Sequence, residues 1–117
     1  IHRIPRFGSD QEIIFVEGHS QDGTYQEIER VISAHPKMNL TLLRQPGTGK
    51  GDAVRTGFGA ARNDVLMILD ADLTVDPEDL PRFYKALVNK KGDHVFVVDS
   101  CTFSKDFQGP QGTTPYI

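Results

Sequence analysis

The run Val65-Leu66-Met67-Ile68-Leu69-Asp70-Ala71-Asp72 constrains the fold of this chain more than any other stretch. Its five apolar residues, preceded by Asn63-Asp64 and closed by two carboxylates, predict a strand buried on both faces, as parallel strands are. In an open α/β sheet, ligands bind beyond the carboxyl ends of the strands, where this strand would deliver its acids. Two carboxylates one residue apart repel unless a positive group lies between them, and a divalent cation carrying a phosphate is the usual partner. The run therefore predicts a metal and phosphate site.

The rest of the chain alternates apolar bursts with helical periodicity. Ile13 to Val16 predicts a strand, and a turn follows over 17–23. A helix is expected from Thr24, because Thr24 and Glu27 have capping-box spacing and Tyr25, Ile28, Val31 and Ile32 share a face. It should stop before Pro36. Leu40 to Leu43 predicts a second strand, followed by a loop over 45–49 containing Pro46, Gly47 and Gly49. A second helix from Lys50 carries Ala53, Val54, Phe58 and Ala61 on one side. Gly57 and Gly59 weaken it by roughly 1 kcal/mol each relative to alanine, while allowing close packing on a sheet. After the 65–69 strand, Asp76 reads as an N-cap with Pro77 at the first helical position. Leu80, Phe83, Tyr84, Leu87 and Val88 then form an apolar stripe at helical spacing. Val95 to Val98 predicts a fourth strand. Residues 100–117 read as an irregular tail, leaving 1–99 as the α/β domain. This order predicts a mostly parallel sheet with helices on both faces and right-handed crossovers, the Rossmann-like class.

Composition narrows the function. With 117 residues, net charge −3, 38% hydrophobic and 25% charged residues, the chain can build one core as a globular domain. The acidic balance and the isolated Lys90-Lys91 pair argue against nucleic-acid binding through bulk electrostatics. The lone Cys101 excludes an internal disulfide and fits a reducing, cytoplasmic compartment. No apolar run approaches the ~20 residues of a membrane span, and no signal-peptide pattern is present. The chain begins at Ile1 rather than methionine, as expected of a fragment or a trimmed product.

Three loops should gather at the carboxyl edge of the sheet: 17–24, 45–50 and 70–76. In the first, Asp22 is placed to cap the following helix. Glu17 ends an apolar strand with no capping partner in sequence, which assigns it to ligand contact. His19 has no partner at metal spacing and reads as a rim residue. The second loop, Pro46-Gly47-Thr48-Gly49-Lys50-Gly51, is not a Walker A motif, which needs glycine where Arg44 stands and serine or threonine where Gly51 stands. What remains is a glycine-rich turn into a helix N-terminus with Lys50 beside it, suited to an anion. In the third loop, Asp70, Asp72, Thr74, Asp76 and Glu78 alternate as in a calcium loop. Val75 at position six and Pro81 at position twelve exclude an EF-hand.

The segments Val16-Glu17-Gly18-His19-Ser20-Gln21-Asp22-Gly23-Thr24, Gly49-Lys50-Gly51-Asp52-Ala53-Val54-Arg55-Thr56-Gly57 and Leu69-Asp70-Ala71-Asp72-Leu73-Thr74 together resemble the inverting glycosyltransferases of family 2, which have the GT-A fold. Within that family the resemblance is to the bacterial and dolichol-phosphate sugar synthase-like branch, over roughly residues 10–95. It implies a UDP- or GDP-linked sugar donor, held with Mn²⁺ or Mg²⁺ through the D-x-D motif. Asp72 is then the metal ligand that meets the diphosphate, and Asp70 the acid near ribose and metal. Glu17 stands where the family places an acid near the base, Ser20 and Asp22 lie in the same nucleotide-sugar segment, and Lys50 matches a lysine near the nucleotide. The implied acceptor is a polyprenyl phosphate or a glycan, which would place the protein at the inner face of a membrane.

The chain also departs from the family. It starts after the family's first strand, which lies centrally in the sheet, and Ile1 to Phe7 resemble the end of the helix that follows it. The gap would be filled by the 95–98 strand or by a second copy of the chain. Nothing after Val98 resembles the acceptor half with its general base, and no motif makes Asp99 or Asp106 that base. These departures predict a truncated domain that binds donor without turnover. Two other readings stand beside this one. Asp70-Ala71-Asp72-Leu73-Thr74 also matches the D-x-D-x-T motif of haloacid dehalogenase-like phosphatases, although the acid pair those enzymes carry downstream is lacking. The third reading is a non-catalytic nucleotide-binding or interaction remnant.

Overall fold

The computed structural model describes residues 1–89, 94–97 and 100–104. The backbone forms two compact units, Asp10–Arg62 in one, and Ile1–Ser9 with the described residues from Asn63 onward in the other.

The Asp10–Arg62 unit is two consecutive strand–helix repeats: β1 (Ile13–Glu17), α1 (Thr24–Ala34), β2 (Leu40–Arg44) and α2 (Lys50–Ala60). β1 and β2 pair in parallel, from Ile13 opposite Leu40 to Glu17 opposite Arg44, because an intervening helix returns the chain to the same end of the sheet. α1 begins at the expected residue by a different device. Its N-cap is Gly23 in the left-handed region, φ 81°, and Asp22 Oδ1 accepts the Thr24 N–H at 3.1 Å as well as the Thr24 hydroxyl. Glu27 does not complete a capping box; it pairs with Arg30, one helical turn on. α1 ends at Ala34, ahead of Pro36. On α2, Gly57 lies where an added Cβ would come 3.2 Å from Val16 Cγ2, so the glycine lets the helix seat closely on β1. The Glu12 carboxylate ties the two ends of this unit together, accepting the Arg62 N–H at 2.7 Å.

The second unit holds β3 (Val65–Met67), a 3₁₀ turn (Pro77–Asp79), α3 (Leu80–Val88), β4 (His94–Val97) and β5 (Ser100–Ser104). Its core is the expected stripe, with Leu80, Phe83 and Leu87 buried beside Leu66 and Pro77. Each such side chain contributes about 1.5–3 kcal/mol on leaving water. Val88, expected on the stripe, is 46% exposed at the helix end. Asp76 makes no side-chain cap. Its Oδ1 accepts from Arg3 at 2.9 Å, and Arg3 also pairs with Glu78 at 2.8 Å, fastening the N-terminal segment to the 3₁₀ turn. Phe7 packs against Tyr84 with ring centroids 5.5 Å apart.

The α/β class follows the alternation of the sequence, and the differences lie in the second half. β3 stops at Met67 rather than at residue 69. It pairs antiparallel with β5, as does β4, giving the order β3-β5-β4 instead of further parallel strands. Val97 lies opposite Ser100, and so short a connection cannot make the crossover that parallel strands need. β5 itself replaces the first part of the expected irregular tail. Cys101-Thr102-Phe103 favours extended backbone, a preference masked in the sequence by the glycines and prolines after residue 108. Val98, Asp99, Asp106 and the rest of the tail beyond residue 104 lie outside the described residues.

Candidate nucleotide-sugar site

At the carboxyl end of the β1–β2 pair, Glu17 is 4% exposed, unusual for a carboxylate, while the residues after it are open to solvent. The chain turns back through Gly18 and His19, the latter at φ 66°, and this brings the Ser20 N–H onto Glu17 Oε1. Glu17 thus has a local partner three residues on, formed by a left-handed turn at His19 that no capping spacing signals. Arg44, opposite Glu17 in register, places Nε 3.8 Å from Glu17 Oε2 and stacks its guanidinium 4.3 Å from the Tyr25 ring centroid. Hydrogen bonds from Ser20, its hydroxyl first and then its backbone N–H, hold the Glu17 carboxyl below the usual range. Burial opposes them, and the His19 N–H and Arg44 add to the lowering. Oε2 is buried and, among the described residues, receives no hydrogen bond. A buried, ionised oxygen without a donor is rare in folded proteins.

Ser20 and Asp22 are engaged locally, Ser20 on Glu17 and Asp22 on Thr24, whose hydroxyl and backbone hydrogen bonds lower the Asp22 pKa. Lys50 is the exposed first residue of α2, after Gly49 at φ 83°. The backbone donor at Gly47 is taken by Asp52 Oδ2 at 2.9 Å, and an added Cβ on Gly47 would meet that carboxylate at 3.0 Å. The glycine-rich loop is therefore shaped by its own helix, with an acid in the first turn where an anion was expected. Gln45, which the sequence reading passed over, is 5% exposed. Its N–H donates to the Glu17 carbonyl at 2.9 Å, and its Nε2 donates to the Gly49 carbonyl at 2.8 Å. The available signal was position: Gln45 stands just past the end of β2 and ahead of Pro46, at the same sheet edge where Glu17 ends β1.

Asp70 and Asp72 belong to the other unit, beyond the end of β3. The Asp70 carbonyl accepts the Leu73 N–H at 3.0 Å, Asp72 Oδ1 accepts the Thr74 N–H at 3.2 Å, and Leu73 is held at φ 56°. Asp70 is half-buried and Asp72 exposed. Among the described residues, no three His, Cys, Asp or Glu side chains gather as a metal cluster. The chemistry of the donor set nonetheless suits Mn²⁺ or Mg²⁺, hard ions that take carboxylate oxygens and complete their shells with water and phosphate.

Parallel strand–helix repeats ending in acidic and glycine-rich loops define an α/β protein of the Rossmann-like class. The sequence model described as glycosyl transferase family 2 matches residues 2–114, and the chain belongs to that family. It is 34% identical to a dolichol-phosphate mannosyltransferase of Saccharomyces cerevisiae, over 80% of this chain and 33% of the relative. It is 33% identical to a Pyrococcus furiosus dolichol-phosphate mannosyltransferase, over 70% of this chain and 23% of the relative. It is also 33% identical to an undecaprenyl-phosphate 4-deoxy-4-formamido-L-arabinose transferase of Pseudomonas fluorescens, over 62% of this chain and 22% of the relative. The chain thus spans a third or less of these relatives' lengths. The match covers residues 2–114 and so favours the glycosyltransferase reading of the chain over the phosphatase one. Among the described residues, no helix is long and apolar enough to cross a membrane.

Proposed function

We propose that the chain is the donor-binding part of a family 2 glycosyltransferase that takes a UDP- or GDP-linked sugar with Mn²⁺ or Mg²⁺ and passes the sugar to a polyprenyl phosphate at a membrane surface. The acceptor class is taken from relatives named for dolichol phosphate and undecaprenyl phosphate. The observation that carries the donor half is Glu17. A buried, ionised carboxylate ends a parallel strand of a family 2 chain, and its Oε2 receives no hydrogen bond from the described residues. A ring N–H of uracil or guanine is the donor that such an oxygen fits. Arg44, half-exposed beside it, is the side chain that would give way.

In this reading Asp72 is the metal ligand toward the diphosphate, Asp70 supports metal and ribose, and Lys50 adds a positive charge for phosphate. Ser20 keeps Glu17 ionised, and Asp22 sets the start of α1. When bound, the cation would offset charge on the departing nucleoside diphosphate.

Calorimetric titration of the chain with UDP and with GDP, each with and without Mn²⁺, tests the proposal. Binding of one nucleotide is expected to depend on Mn²⁺ and to lose that dependence in Asp72→Ala. Absence of heat with both nucleotides would leave only the scaffold role and sink the reading.

A further inference from the structure

Gln45 connects the two loops by hydrogen bonds to each, and we infer that it is a positioning residue that makes the Glu17 and Lys50 loops act as one ligand-binding element. Its backbone N–H, on the Glu17 carbonyl at 2.9 Å, continues the β1–β2 ladder one step past the strand ends. Its side chain then leaves the ladder and donates to the Gly49 carbonyl at 2.8 Å, gripping the N-cap of the helix that Lys50 begins. The amide is buried, so losing this partner would leave a polar group without its hydrogen bond away from water.

The other end of the strut is set by Gly18. A Cβ added there would lie 3.1 Å from Gln45 Oε1, tighter than an ordinary van der Waals contact. Gly18 has no left-handed φ to explain a glycine. The close approach of Gln45 does explain it. A side chain at residue 18 would push the amide, and the push would be felt at Gly49 and Lys50, beyond the reach of residue 18 itself. Asp52 stiffens the receiving loop by holding the Gly47 N–H. The chain thus contains a mechanical link from the strand end bearing Glu17 to the helix start bearing Lys50.

The use of this link in binding rests on the donor-site reading; the link itself does not, and the two are tested separately. Hydrogen exchange of the nucleotide-free chain reads the link. Gly18→Ala, and Gln45→Met with its similar volume, should each speed exchange over residues 47–53 and leave α3 unchanged. Unaltered exchange over 47–53 in both variants overturns the inference. Binding of UDP and of GDP with Mn²⁺, measured at several salt concentrations, reads the use. Lys50→Ala should weaken binding and flatten its salt dependence, because an ion contact is screened. Gln45→Met should flatten it equally, by about tenfold in affinity at low salt, and Lys50→Ala should then add nothing. A merely destabilised chain keeps the parent's salt dependence, and that outcome, or additive losses in the double variant, overturns the positioning role. Coupled exchange in a parent chain that binds neither nucleotide overturns the donor-site reading and leaves the link standing.

Discussion

At Glu17, burial and hydrogen bonding pull the carboxyl in opposite directions, and the hydrogen bonds win. The consequence for stability has a definite sign. The folded pKa lies below the ordinary value of 4.5, so in the intervening window the unfolded chain binds more protons than the folded one. The contribution is complete above about pH 4.5 and is lost as the pH falls through the lower folded value. Melting temperatures of the parent and of Glu17→Gln should therefore differ most near neutral pH and converge on acidification. A constant gap down to pH 3 would show that ionisation of Glu17 stabilises nothing. The sequence made Glu17 conspicuous as an acid at a strand end, but it did not show what Glu17 touches. Its partners depend on a left-handed His19 and on register with Arg44, neither of which a one-dimensional pattern contains. Asp22 was readable as a residue that sets the start of α1 because its contact with Thr24 is local, two residues from donor to acceptor, although the N-cap itself is Gly23.

Among the elements, α2 offers the clearest contrast, since two glycines in one helix have opposite reasons to be there. Gly59 is exposed, and an added Cβ would meet nothing within 4 Å. Gly59→Ala should therefore collect the propensity difference and stabilise the chain by about 1 kcal/mol. At Gly57 the same gain is opposed by Val16 Cγ2 at 3.2 Å, on a side chain whose χ1 is stiff and whose strand is paired to β2. Gly57→Ala should fall short of Gly59→Ala by about 1 kcal/mol or more in denaturant unfolding. Equal gains at both sites would mean that α2 does not bear on β1 at Gly57. The same distinction explains which elements were legible. The α3 stripe and the four-residue apolar bursts of β1 and β2 are local signals, strong enough to place each element within a residue or two. The partner of β3 is some 35 residues away, and nothing in an apolar run states whether its neighbour is parallel or antiparallel.

For the whole molecule, sugar transfer is the wrong first readout, because the chain spans a third or less of its relatives, whereas donor binding can be measured on it directly. The net charge of −3 sets the terms: a nucleoside diphosphate is itself an anion, so long-range attraction cannot gather it. Binding must come from local charges, and the donor-site reading supplies two, Lys50 and a cation on Asp72. A ligand that binds only the folded chain stabilises it by about 2.7 kcal/mol at a free concentration 100 times its Kd. Scanning calorimetry with UDP or GDP in excess should therefore show a large upward shift with Mn²⁺ and little shift with a chelator present. Asp72→Ala is the control that assigns the difference. Asp72 is exposed, and its one described contact is the Thr74 N–H, so the substitution should scarcely move the melting of the nucleotide-free chain. It should nonetheless abolish the Mn²⁺-dependent part of the shift. An equal shift in chelator and in Mn²⁺ would mean that the nucleotide is held without a cation, and Asp70 and Asp72 would then be no more than turn residues following β3.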